Sequence, residues 1–126
     1  MKKRIVKIGI LSREEYKRRT MAVVRGEYTP TKGEPKIWFE SLQSLAQVLS
    51  NENRELLRII AEQKPESLKE LEQATGRKKS NLSRTLATMS KYGLVDLVKQ
   101  KRTVKPVVKA TDFQVEFGLD TSFSTR

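Results

Sequence analysis

The sequence predicts a mainly α fold with a small β-hairpin toward its C-terminal end, and three observations carry that expectation. Apolar residues recur at spacings of three and four through most of residues 37–92, the period of helices that bury one face. Gly76 and Gly93 punctuate that run, and glycine stops helices because it tolerates positive φ. Beyond Gly93 the pattern changes to two short Val-rich runs, Leu94 to Val98 and Thr103 to Ala110, on either side of the polar tip Lys99 to Arg102. Two strands joined by a tight turn have that pattern.

Taken in order, Arg4 to Leu11 is rich in Ile and Val and predicts a strand. Ser12 followed by Glu15 is a capping-box pattern, in which hydroxyl and carboxylate satisfy exposed N–H groups at a helix start, so a helix to about Arg25 follows. Gly26, Pro30, Gly33 and Pro35 then mark a loop. They divide the chain into a basic strand-helix appendage over 1–34, a main domain over 35–119 and a frayed tail over 120–126. Ile37, Phe39, Leu42, Leu45, Ala46 and Leu49 predict one helix with a buried face. Ser50 to Asn53 interrupts it, and Leu56 to Ala61 forms a core helix that ends before Pro65. Ser67 with Glu70 opens a short helix with Leu68, Leu71 and Ala74 inward, closed at Thr75-Gly76. Ser80 is a plausible cap for the next helix, Lys79 to Tyr92, whose Leu82, Leu86 and Met89 are core. Pro106 restricts the second hairpin run to an edge or a bulge, and Phe113 to Phe117 is a third short run that can add to the hairpin.

The chain of 126 residues carries 26 Lys and Arg against 15 Asp and Glu, a net charge of +11. Divided at the breakers, residues 1–34 carry +6, 35–75 carry −2, 76–109 carry +9 and 110–126 carry −2. Within 76–109, Asp96 is the single acid among ten basic residues. A basic solvated surface is common, but segregation this one-sided is what phosphate neutralisation requires. His and Cys are absent, which excludes imidazole bases, thiolate nucleophiles, Cys/His zinc sites and disulfides. No cofactor or metal is expected, no carboxylate pair stands out as acid and base, and the chain is not expected to be an enzyme. No apolar run approaches the roughly 20 residues of a membrane span, and the start Met1-Lys2-Lys3-Arg4 leads into no long apolar segment, so a cytoplasmic protein without membrane contact is expected.

Short helix, glycine turn, second helix, glycine stop and basic-tipped hairpin, from Ser67 onward, are the order of a winged helix-turn-helix. In that arrangement the first helix braces the second, whose free side enters a DNA major groove about 12 Å wide. The free side here carries Lys79, Asn81, Ser83, Arg84, Thr85 and Thr88, with Lys78 and Ser80 at its start. Arg84 can donate twice to guanine O6 and N7, Asn81 can pair with adenine N6 and N7, and the hydroxyls of Ser80, Ser83 and Thr85 can bond base or phosphate. Lys99, Lys101, Arg102 and Lys105 form the candidate wing over the adjacent minor groove or its phosphates. A charged tip that merely keeps a sheet edge soluble is the alternative.

Residues 34–49, the block ESLKELEQATGRKKSNLSRTLATMSKYGLV and the close Val115 to Leu119 resemble MarR-like winged helix-turn-helix transcriptional regulators assigned as antitoxins of type II toxin–antitoxin systems. The resemblance spans roughly 34–119, with SNLSRTL and YGLV standing at the recognition helix and first wing strand. It implies a dimeric repressor that binds a cognate toxin and represses their shared operon. The basic N-terminal segment lies outside it.

A homodimer is also expected because one recognition helix reads only a short half-site. The helix over Ile37 to Leu49 and the N-terminal strand and helix are the candidate dimer surfaces. A second class of function is a protein-interaction module that neutralises a toxin, with DNA binding secondary; Ile5, Ile8 and Ile10, or Trp38 and Phe39, would then be partner anchors. RNA binding is open on charge alone, although few aromatic residues are present to stack bases.

Overall fold

A computed structural model describes residues 2–119. Residues 120–126, where the sequence predicts a frayed tail, lie outside the described residues. The fold is mixed α/β. Its elements run β1 (Ile5–Ile10), α1 (Arg13–Val24), β2 (Ile37–Phe39), α2 (Leu42–Val48), α3 (Asn51–Gln63), α4 (Leu68–Thr75), α5 (Lys79–Tyr92), β3 (Val95–Lys99), β4 (Val104–Val108) and β5 (Asp112–Glu116). Two compact units divide the chain: residues 2–5 with 48–112, and residues 6–47 with 113–119.

In the first unit, serine caps set two helix starts. Ser50 Oγ accepts from the Asn53 N–H at 3.2 Å, so the expected interruption is confined to Leu49 and Ser50, and 51–53 are already the first turn of α3. Helix α3 closes on Lys64 in the left-handed region, φ 48°, directly before Pro65. Ser67 Oγ accepts from the Glu70 N–H at 3.1 Å, while the Glu70 carboxylate reaches back to the Glu66 N–H at 2.7 Å, one residue beyond the expected box partner. Leu71 is fully buried on α4, Leu68 half-buried, and Ala74 exposed, contrary to its expected inward position. Eight residues make barely two turns, too few for three inward positions to sit centrally on the packed face.

Gly76 ends α4 at φ 75°, and only Arg77 and Lys78 separate it from α5. That short turn puts Lys78 at the cap position of α5, so Ser80 lies inside the helix, and no side chain caps it. Leu82, Leu86 and Met89 are 0–1% exposed. Burial of a side chain of this size contributes about 1.5–3 kcal/mol, so three in one stripe outweigh the missing cap, worth roughly 1 kcal/mol. Helix α5 packs on α4 and β3, and α3 packs on α4 and β4.

Strands β3 and β4 form an antiparallel pair in which Val95 stands opposite Val108 and Lys99 opposite Val104. Gln100 and Thr103 exchange both backbone hydrogen bonds, 2.9 and 3.3 Å, leaving Lys101-Arg102 as a two-residue tip. Bonded and non-bonded pairs alternate in such a ladder, and the Lys109 N–H to Leu94 O bond at 3.0 Å keeps the phase. Pro106, opposite Leu97, therefore falls at a non-bonded pair, where its missing N–H costs no ladder bond.

The second unit contains a three-stranded sheet in the order β2-β1-β5. Strand β1 runs parallel to β2, with Ile8, Gly9 and Ile10 opposite Ile37, Trp38 and Phe39. Residues 37–39 are thus a strand, and the helix expected from Ile37 begins only at Leu42. Ile-Trp-Phe is a β-branched and aromatic run, and pairing with β1 buries Ile37 and Phe39 together, which overrides the helical spacing. Ser41 Oγ then accepts from the Ser44 N–H at 3.0 Å to start α2, which has no fully buried residue. Residues 112–116 likewise extend the β1 sheet and not the hairpin. Ile8 is core, Ile10 half-buried and Ile5 exposed, so the three isoleucines do not form a common outward anchor.

Gly9 permits a close approach that this sheet requires. A Cβ there would lie 2.4 Å from Trp38 Cζ3 and 2.8 Å from Pro35 Cγ. Over the other part of Trp38 sits the Arg19 guanidinium, 5.1 Å from the ring centroid and 5.9 Å from that of Tyr28. Arg19 also pairs with Glu34 at 3.2 Å, and Glu34 accepts from the Thr31 N–H at 3.0 Å and from the Tyr28 hydroxyl. Burial pushes the Glu34 carboxyl up, but the hydrogen bonds from Tyr28, Thr31 and Arg19 pull it down further, and it settles below the usual carboxylate range. The bond to Glu34 raises the Tyr28 phenol.

Gly9→Ala is expected to lower stability by about 1–3 kcal/mol, the usual cost of overpacking. Denaturant unfolding measures it, and the cost should shrink in a Trp38→Leu background, since contacting sites are not additive. A carboxyl lowered by folding contributes stability that is full above its unfolded value, 4.5, and is lost as pH falls through the folded value. As pH falls below about 5 the wild-type stability should therefore fall more steeply than that of Glu34→Gln.

Candidate nucleic-acid interface

The interface is built from the outward side of α5, the turn before it and the hairpin tip after it, all in the first unit. Because Leu82, Leu86 and Met89 fix the inward side, residues half a turn away must face out. Lys78, Lys79, Ser80, Asn81, Ser83, Arg84 and Thr88 are all exposed. Ser80, Arg84, Thr88 and Lys91 follow one another at spacings of four and three along the exposed surface. Thr85 differs from expectation: it is half-buried, because it stands three residues after Leu82 and four before Met89, on the edge of the packed stripe.

Among the described residues the Arg84 guanidinium has no hydrogen-bond or ion-pair partner, so its five donors are available to a ligand. Thr88 Oγ1 donates to the Arg84 carbonyl at 3.2 Å. At the tip, Lys99, Lys101 and Arg102 are exposed. Lys105 stands apart from them: it is half-buried, and its Nζ pairs with Glu66 at 3.2 Å. Position explains the difference, since Lys105 lies opposite Val98, back from the tip.

The acidic side chains of this unit are largely engaged elsewhere. Arg58 is held by Glu55 and by Glu62, the latter at 2.6 Å, and the Arg58 hydrogen bond keeps the Glu55 carboxyl below its ordinary value. Asp96 reaches Lys109 at 4.0 Å. Among the described residues no ion pair engages Lys78, Lys79, Arg84 or Lys91, nor Lys99, Lys101 or Arg102 at the tip. The N-terminus of α5 has no acidic residue in its first turn and no side-chain cap, so its free N–H groups add to the positive field.

Two residues outside the sequence-derived set belong to this region. The Arg77 guanidinium donates to Asn53 Oδ1 from both terminal nitrogens, each at 3.2 Å, and reaches Asn81 Oδ1 at 3.5 Å. Arg77 stands out in the sequence only as one more basic residue after Gly76. Asn53 carries no local signal, because its part depends on a contact between elements distant in sequence.

Residues 48–115, more than half of the chain and all of this interface, match the HVO_A0114 family. The chain belongs to the HVO_A0114 family. The match leaves out 34–47, which the antitoxin resemblance includes. No curated protein matches the chain. Among the described residues of this HVO_A0114 member, no helix is long and apolar enough to cross a membrane.

Proposed function

We propose that this HVO_A0114 member is a winged helix-turn-helix protein of the cytoplasm that binds double-stranded DNA sequence-specifically and represses transcription as a homodimer. One observation carries the reading: α5 buries Leu82, Leu86 and Met89 completely and turns a surface of short polar and basic residues, unneutralised by acids, outward. Helices α4 and α5 joined through Gly76, followed by the hairpin with Lys101-Arg102 at its tip, have the order, with a glycine in the turn, that a helix-turn-helix with a wing uses. Its work on this reading is binding and not catalysis. Arg84 addresses base edges, Lys78, Lys79 and Ser80 address phosphate near the start of the helix, and Lys99, Lys101 and Arg102 address phosphate from the wing.

The role of antitoxin follows from the resemblance described above, with repression of its own operon as the regulatory output. A protein partner is favoured by a separate observation in the second unit. Val115 on β5 and Phe117 and Leu119 just beyond its end are 41%, 63% and 106% exposed, three large apolar side chains at alternate positions, and exposed apolar groups gathered in this way mark interaction surfaces.

Arg84→Ala is expected to cost about 1–3 kcal/mol and to relax preference at one operator position, measured by competition against single-base variants of a selected site. Equal loss on every sequence would reassign Arg84 to phosphate. Replacing Lys101 and Arg102 together should make the dependence of log K on log salt shallower by up to about 2; an unchanged slope would leave the tip off the DNA.

A further inference from the structure

We infer that Arg77 is a positioning residue that fixes which edge of Asn81 faces a base, so that α5 reads hydrogen-bond acceptors at that position. The inference rests on the DNA-binding reading above. Arg77 occupies the two-residue turn between α4 and α5, where its N–H donates to Thr75 Oγ1 at 3.2 Å. Its half-buried side chain spans the first turns of two helices, with Asn53 of α3 on one side and Asn81 of α5 on the other.

The orientation of Asn53 is set independently of Arg77. Its backbone N–H is bonded to Ser50 Oγ at 3.2 Å and its Nδ2 donates to the Val48 carbonyl at 3.0 Å, which leaves Oδ1 to meet the guanidinium. Two bonds of 3.2 Å onto that oxygen locate the guanidinium. An arginine has donors and no acceptor, so the atom of Asn81 turned toward it must be Oδ1; the flipped amide would set N–H against N–H. The Asn81 Nδ2 is then directed away from Arg77, on an exposed residue.

An asparagine that reads adenine uses both ends of its amide, accepting from N6 and donating to N7. With Oδ1 turned toward Arg77, the end of the amide directed away from it is a pair of donors. Its complements in the major groove are guanine O6 and N7 or thymine O4, whereas adenine sets its N6 amino donors beside its one acceptor, N7, and is disfavoured. Both α3 and α5 direct the positive ends of their dipoles toward this place, so the two amide oxygens are the groups whose contacts hold the guanidinium there. A lysine would bring a point charge without the planar fork that spans two amides.

The test has two arms on the full chain. Without DNA, NMR of the Asn81 side-chain amide should show restricted motion in the wild type. Arg77→Ala and Arg77→Lys should both move those resonances toward free-amide values, with thermal unfolding recorded to confirm the fold. Unchanged Asn81 resonances in both variants would overturn the pairing. In the second arm each protein selects from a library of random duplexes, and the position whose preference Asn81→Ala erases is the one read. Guanine or thymine there for the wild type, with a preference that falls about tenfold in both Arg77 variants while neighbouring positions keep theirs, is the expected result. Adenine at that position, or a loss spread evenly over all sequences, would overturn the inference. If the wild type selects no sequence, the DNA-binding reading fails and takes base readout with it, whereas the NMR arm judges the Arg77–Asn81 contact alone.

Discussion

Complete burial of Leu82, Leu86 and Met89 along one side of α5 is the constraint from which the rest of the first unit follows. A 14-residue helix without a side-chain cap, with Lys78 at its cap position and Lys79 in its first turn, gains little from its own backbone. Packing on α4 and β3 holds it, and because the stripe fixes the rotation of the helix about its axis, it also dictates which residues meet solvent. Arg84 is outward for the same reason that Leu82 and Leu86 are inward. The glycines at both ends sharpen this. Gly76 brings α4 directly against the start of α5, and Gly93 turns the chain so that the Leu94 N–H closes onto the Met89 carbonyl at 2.9 Å.

Charge is organised around the same helix. The excess of +9 in residues 76–109 is a property of sequence, but its effect depends on what the nearby acids do. Glu55 and Glu62 are held at Arg58, and Glu66 holds Lys105. Such surface pairs contribute little to stability, and among the described residues none of them takes a cation of α5 or of the tip Lys99 to Arg102.

Legibility in the sequence follows the range of the interactions. Helix α5, its buried stripe, the stops at Gly76 and Gly93 and the hairpin are set by neighbours a few residues apart, and the structure has them where the periodicity puts them. The start of α3 at Ser50 was open to the same logic, as the third serine cap in a chain already showing Ser12 and Ser67. Residues 37–39 are a different case. Phe39 continues at three and four residues into Leu42, Leu45, Ala46 and Leu49, but Ile37 and Phe39 stand two apart, the strand period, and pairing with Ile8 and Ile10 fixes them as a strand. No local pattern contains that partner. The site divides in the same way: exposure of Asn81 and Arg84 is implied by Leu82 and Leu86, whereas the withdrawal of Lys105 to Glu66 and the span of Arg77 to Asn53 join residues 39 and 24 positions apart.

The sheet of the second unit is assembled from strands at opposite ends of the described chain, with β1 between β2 and β5. During synthesis β1 and β2 emerge first, and the whole segment 48–111 must follow before β5 exists. At about 5–20 residues per second that interval lasts several seconds. Helices α3 to α5 and the hairpin, whose contacts are mostly local, have ample time to form in it. Throughout the same interval one side of β1 offers unpaired N–H and C=O groups beside Ile8 and Ile10, a template for any extended chain nearby. The nascent protein is thus most exposed to mispairing at its earliest strand, and arrival of the last strand ends the exposure.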